Sequence, residues 1–221
     1  SGRNLRRVVR RYGKFKHRAD WSEFDEKIDI ASFTDVLFGE NLEEKEEQVI
    51  NLPEEFKTLT GDDNSYEARR AKNYLFKRGV TKEDILKWKI GYCSSGHFYN
   101  RVIIPSFSLS GRCNYFVARS FSFTNRKYLN PNASRDIIFN HLYLDFEQDM
   151  TIVEGAFDAV VAGENSVPLL GSTLRERSTL FQEIVKNDTP VYLAMDPDAE
   201  KKSWQIIERL LFKLLVNPLP Y

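Results

Sequence analysis

Four carboxylates carry the chemistry that this sequence suggests. The apolar run Thr151-Ile152-Val153 ends on Glu154, Gly155 follows at once, and Asp158 comes four residues after Glu154. Farther on, the run VYLAM over 191–195 ends on Asp196-Pro197-Asp198. A buried strand has no need to finish on an acid. Hard oxygen donors without His or Cys beside them suit Mg²⁺ or Mn²⁺ over zinc, and such sites bind metal mainly together with phosphates. Carboxylates crowded within hydrogen-bonding range raise one another's pKa unless a cation joins them. Gly155 allows close backbone approach, and Asp158, one turn into the next helix, can point back to the same edge. The plain alternative is that Glu154 caps its own helix and Asp196-Pro197-Asp198 is a strand-to-helix turn, since Asp caps well and Pro sits well near a helix start. Two strand-end acidic motifs in one short unit weigh against that alternative.

The elements that must position these acids are legible from residue 150 on. MTIVEG reads as a strand, FDAVVAGEN as a helix and VPLLGS as a strand. Thr173 and Glu176 have capping-box spacing, which predicts a helix from there to about Asn187. PVYLAMDPD reads as a strand. AEKKSWQIIERLLFKLLV reads as a helix with Trp204, Ile207, Leu210, Leu211, Leu214 and Leu215 on its apolar stripe. This alternation predicts a parallel sheet, and ligands of such sheets sit beyond the carboxyl ends of the strands. Glu154, Asp196 and Asp198 would then share one edge.

Upstream, YEARRAKNYLFKRG puts Ala68, Ala71, Tyr74 and Leu75 on one helical face, ended by Gly79. Thr81 to Asp84 looks like the cap of a second short helix. FYNRVIIPSFS and NYFVARSFSF, with Ser110-Gly111 between them, read as a hairpin, and Pro105 suggests an edge or a strand end. KYLNPNASRDIIFN is loop-like with a short apolar tail. Residues 39–65 have a linker-like composition, interrupted by NLPEEFKTL.

The chain of 221 residues has 32 Lys and Arg against 32 Asp and Glu, so its net charge of zero hides an asymmetry. Arg3, Arg6, Arg7, Arg10, Arg11, Lys14, Lys16 and Arg18 form a basic arm over 3–18, with a short helix expected at 5–12, and an acid-rich stretch follows. Such an arm can touch a phosphate backbone or can be a solvated face and linker. No run of 18 apolar residues and no signal-peptide pattern occurs, so no membrane partner is expected. Two lone cysteines, Cys93 and Cys113, are too few for a disulfide scaffold or a four-ligand zinc site and read as free thiols of a reducing compartment.

Taken together, VEGAFDA, LLGS and MDPDA resemble the Toprim fold shared by primases, topoisomerases and some nucleases. YLFKRGVTKEDILKWKIGY, NRVIIPSFSLSGRCNYFVARSF and KYLN at 127–130 resemble the RNA polymerase core of DnaG-type DNA primases, over roughly residues 66–218, and the short DPDA-EKK form resembles phage members. The fold class implied is α/β, a Toprim parallel-sheet domain preceded by a mixed α+β primase N-terminal subdomain. The organisation implied is a basic arm and acidic linker at 1–60 following a zinc ribbon not in this chain, the α+β subdomain at 61–148, and a C-terminally truncated Toprim domain at 149–221. The resemblance implies a DNA-dependent RNA polymerase that makes short RNA primers for DNA replication in the cytoplasm, or in the host cytoplasm if phage-encoded. Glu154, Asp196 and Asp198 would hold catalytic Mg²⁺ or Mn²⁺ with Asp158 assisting; zinc would belong only to the ribbon. Arg101, Arg119, Lys127, Tyr128 and Asn130 match positions lining the groove for nucleotide and template. Implied partners are a single-stranded DNA template, ribonucleoside triphosphates and a replicative helicase. For Arg119 and Lys127 the alternative is a solvated strand end, and for Tyr128 it is core packing. The usual D-x-D-x-A-G pattern has lost its Ala-Gly here, where Asp198 runs into Ala199-Glu200-Lys201. That departure supports a non-catalytic nucleic-acid-binding module as one alternative; a Toprim nuclease, using the same metals with water as nucleophile, is the other.

Overall fold

The computed structural model describes residues 47–171 and 173–216, with side chains as far as Leu211. The expected basic arm and helix near the start lie outside the described residues.

An antiparallel sheet of four strands comes first, in the order β1 (Phe56–Thr58), β2 (Gly91–Cys93), β3 (Arg101–Phe107) and β4 (Cys113–Ser120). Two helices separate β1 from β2. In α1 (Tyr66–Phe76), the Ser65 hydroxyl accepts from the Ala68 N–H, and Ala68, Ala71 and Leu75 are buried as their spacing predicts. Gly79, at φ +82°, turns the chain out of the helix in the left-handed region that glycine adopts without strain. In α2 (Lys82–Lys87), Thr81 and Asp84 form the expected capping box.

β3 and β4 form the expected hairpin, and both are buried almost throughout. The reason is that the sheet is covered on both faces. Val102, Ile104, Tyr115 and Val117 belong to the main core, while Cys93, Ile103, Phe116 and Ala118 pack against Ile50, Leu52, Phe56 and Phe98. The stretch read as linker is therefore in part structural. Its backbone joins the sheet through Ile50 N–H to the Cys113 carbonyl at 2.9 Å, and β1 pairs with β2. Composition missed this because a polar segment can cover a sheet with a few well-placed apolar side chains. Pro105 lies within β3 rather than at its end, but pairing with β2 stops at Ile103, so the missing N–H falls where only β4 is alongside.

The second sheet is parallel, with β5 (Met150–Val153) between β6 (Ser166–Pro168) and β7 (Val191–Ala194). The helices are α3 (Ala156–Ala162), α4 (Thr179–Asn187) and α5 (Glu200–Val216). This mixed architecture is the expected α/β class. Two expectations fail in detail. The Thr173–Glu176 pair does not open α4. Leu174 is buried with its carbonyl accepting from Arg209 at 2.8 Å, and Ser178 caps the helix instead. The stripe of α5 is also rotated from the expected one. Ile206 and Leu210 are buried, whereas Trp204 and Leu211 are more than half exposed. Periodicity cannot settle which side is buried when the helix carries apolar residues on two sides. Both cysteines are free, and burial pushes both thiols up, Cys93 to about 12. Among the described residues no helix is long and apolar enough to cross a membrane.

Candidate active site

Parallel pairing of β5 with β7 sets Val153 opposite Ala194, so the residues that follow leave the sheet at one rim. Glu154 and Asp196 meet there. The Asp196 carboxyl is raised above its ordinary value by desolvation, then by the charges of Glu154, Asp158 and Asp198, with a hydrogen-bonding interaction to Glu154 adding to them. Asp196 thus sits beside the acids that the sequence placed at the same edge.

The plain alternative holds for the turn at Asp196-Pro197-Asp198 but not for Glu154, which does not cap its helix. Gly155, not Glu154, is the cap residue of α3, and the Asp158 carboxylate accepts from the Gly155 N–H at 3.1 Å. A Cβ on residue 155 would stand 2.9 Å from that carboxylate oxygen, so a larger residue there would make the Asp158 side chain shift. Asp196-Pro197-Asp198 does make a turn, with Pro197 at its start and the Ala199 N–H donating to the Asp196 carbonyl, but the Asp196 side chain caps nothing.

A cation already stands at the rim. Lys202 Nζ donates to Glu154 Oε1 at 2.8 Å. Sequence reading missed it, because Lys202 and Glu154 are 48 positions apart and meet only once the helix after Asp198 packs beside the end of β5. The donor chemistry fits a hard divalent ion. Among the described residues, however, no three acidic, histidine or cysteine side chains converge into a ready-made ion cage. The acids share the rim without being drawn around one point.

The basic residues form a second feature, linked to the first. Segment 127–130 runs along the outer edge of β4: Ser120 N–H donates to the Lys127 carbonyl, Leu129 N–H to the Ala118 carbonyl, and Ala118 N–H to Asn130 Oδ1. Tyr128 is 48% exposed, which rules out core packing, and the Arg119 guanidinium lies 4.5 Å from its ring centroid. Arg119 Nε also donates to the Tyr74 hydroxyl at 3.1 Å. Tyr74 meets Phe157 edge to face at 6.2 Å, and Phe157 is the second residue of α3, beside the acidic rim. Arg78 lies over both rings, 5.0 Å from that of Tyr74 and 5.2 Å from that of Phe157. Arg78, Tyr74 and Phe157 were not singled out from sequence as site residues; a helix-end arginine looks ordinary until the second sheet is packed against it. Lys127 is exposed.

Arg101 differs from its expected place among groove residues. It is only 7% exposed, and its guanidinium donates to the Arg126 and Lys127 carbonyls at 2.9 and 3.1 Å. It supports the segment that presents Lys127 and Tyr128.

No family model matches the sequence, and no curated protein matches it. Solved structures do match in fold. The zinc-binding and RNA polymerase domains of the Aquifex aeolicus primase align with a TM-score of 0.54 at 21% identity, covering 68% of this chain and 48% of that one. A DnaG primase catalytic domain bound to single-stranded DNA gives a TM-score of 0.51 at 18% identity, over 66% of this chain and 60% of that one. The RNA polymerase domain of Mycobacterium tuberculosis primase DnaG in complex with double-stranded DNA gives 0.52 at 18% identity, over 64% and 62%. The chain thus spans less than two thirds of each of these chains and shares the fold of primase catalytic cores.

Proposed function

We propose that this chain, built on the fold of primase catalytic cores, is a template-dependent RNA polymerase that makes primers. The observation that carries the reading is the joining of two unlike features in one packed unit. Strand-end acids gather at the rim of the parallel sheet, and a basic, aromatic edge of the antiparallel sheet is tied to that rim through Arg119, Tyr74 and Phe157.

In this reading Glu154, Asp196 and Asp198 hold Mg²⁺ or Mn²⁺, with Asp158 assisting. Such ions would lower the pKa of a ribose 3′-hydroxyl and neutralise the departing pyrophosphate. The bond formed joins the 3′-oxygen of one ribonucleotide to the α-phosphorus of the next, and the bond broken releases pyrophosphate. Lys127 and Arg119 supply charge for phosphate oxygens, and the exposed face of Tyr128 offers a surface on which a template base can stack. Arg101 acts indirectly by holding the segment that carries Lys127 and Tyr128. The partners are a single-stranded DNA template and ribonucleoside triphosphates.

The test is incubation of the chain with single-stranded DNA, ribonucleoside triphosphates and Mn²⁺. Nucleotide-dependent extension supports the reading, and Glu154→Gln should abolish it while the far-ultraviolet circular dichroism stays the same. Cleavage of the DNA without extension would assign the rim to a nuclease, and neither product would leave a binding module.

A further inference from the structure

The ammonium of Lys202 is the feature of the rim that the proposed reaction does not use. Asp196 there lies within the influence of three other acids, Glu154, Asp158 and Asp198. Among the described ion pairs, only that of Lys202 with Glu154 involves any of them. The pair is sheltered, with the lysine side chain 21% and the glutamate side chain 27% exposed. It is also built by the fold. Lys202 lies in the first turn of α5, the helix that directly follows Asp196 and Asp198, and it reaches across to the end of the neighbouring strand. The same connection therefore delivers two carboxylates and the cation that compensates a third. A short, sheltered ion pair of this kind is screened less by salt than an open surface pair.

We infer that Lys202 is a tethered counter-cation of the acidic rim, which holds Glu154 in the absence of a divalent ion and must release it before that ion can be gripped. The inference rests on the reading of the rim as a metal site. It explains why acids that are near one another do not converge into an ion cage: one of the oxygens that a metal would take is bonded to an ammonium. A lysine suits this role better than an arginine, because a single flexible point charge lets go of a carboxylate more readily than a planar two-pronged donor does. The consequence is that Lys202 sets a threshold. Metal affinity is lower than the acids alone would give, and the charge of Glu154 stays compensated when no metal is bound.

The experiment is direct titration of Mn²⁺, followed by electron paramagnetic resonance of the free ion, into the full chain and into the Lys202→Met, Lys202→Arg and Glu154→Gln variants. Lys202→Met should bind Mn²⁺ roughly two- to fivefold more tightly than the wild type, the factor that loss of one partly exposed ion pair corresponds to. Lys202→Arg should bind no more tightly than the wild type, and Glu154→Gln should bind much more weakly. Melting in EDTA checks that each variant is folded, and Lys202→Arg carries the comparison if Lys202→Met is not. Unchanged or weaker binding by Lys202→Met, with Glu154→Gln still impaired, overturns the counter-cation role and leaves the metal site standing. Binding that ignores Glu154→Gln, or no binding by any of the folded proteins, overturns the metal site and the counter-cation role together.

Discussion

Replacement of Arg101 by Met tests whether a buried arginine supports a nucleic-acid surface or belongs to it. The methionine keeps most of the apolar stem and removes the guanidinium, with its bonds at 2.9 and 3.1 Å to the Arg126 and Lys127 carbonyls. Hydrogen bonds from a charged donor contribute about 1.5–3 kcal/mol each. Two effects reduce the loss. Desolvation lowers the Arg101 pKa, and no carboxylate among the described residues pairs with it, so removing the charge recovers part of a burial penalty. The freed carbonyls also belong to exposed residues and can turn to water. The net cost is about 1–3 kcal/mol, and each kcal/mol lowers the melting temperature of a domain this size by about 2–4 °C. Urea and thermal unfolding measure it. Fluorescence anisotropy with single-stranded DNA at several salt concentrations supplies the functional half. If Arg101 only supports the segment, the variant binds more weakly with the same salt slope, whereas Lys127→Ala, which would remove the proposed phosphate contact, should lower the slope by about one. A variant of full stability whose salt slope falls by one would refute this reasoning and return Arg101 to the groove.

Two more predictions follow from burial and charge. Ile206→Ala should cost about 2–4 kcal/mol in urea unfolding because its side chain is fully buried, while Trp204→Ala should stay within about 0.5 kcal/mol; the reverse order would restore the stripe read from sequence. The Asp63 carboxyl is held down to about 2, first by the Tyr92 hydroxyl at 2.5 Å and then by the Ser65 backbone. Because the folded value lies below the unfolded one, its stabilisation is complete above about pH 4 and fades as the pH falls toward 2. Asp63→Asn should therefore lose less stability than the wild type between pH 5 and pH 2.5, and parallel pH profiles would contradict the assignment.

Local signals decided much of this structure before any packing was considered. The Ala68, Ala71 and Leu75 spacing, the Thr81–Asp84 cap, the β3–β4 hairpin and the strand–helix alternation after Met150 are all sequence patterns with short-range causes, and they appear as read. Parallel order also made it possible to foresee that Glu154 and Asp196 would share an edge, because strand ends of one parallel sheet must emerge together. Three things were left to tertiary structure. Which side of α5 is buried depends on what it packs against, since both sides carry apolar residues. Whether a polar stretch such as 47–59 is linker or sheet cover depends on the face it meets. The side-chain hydrogen-bond partners of Arg101, Arg119 and Lys202 lie 25 or more positions away in the chain, and no periodicity encodes a contact that exists only once two elements are packed together.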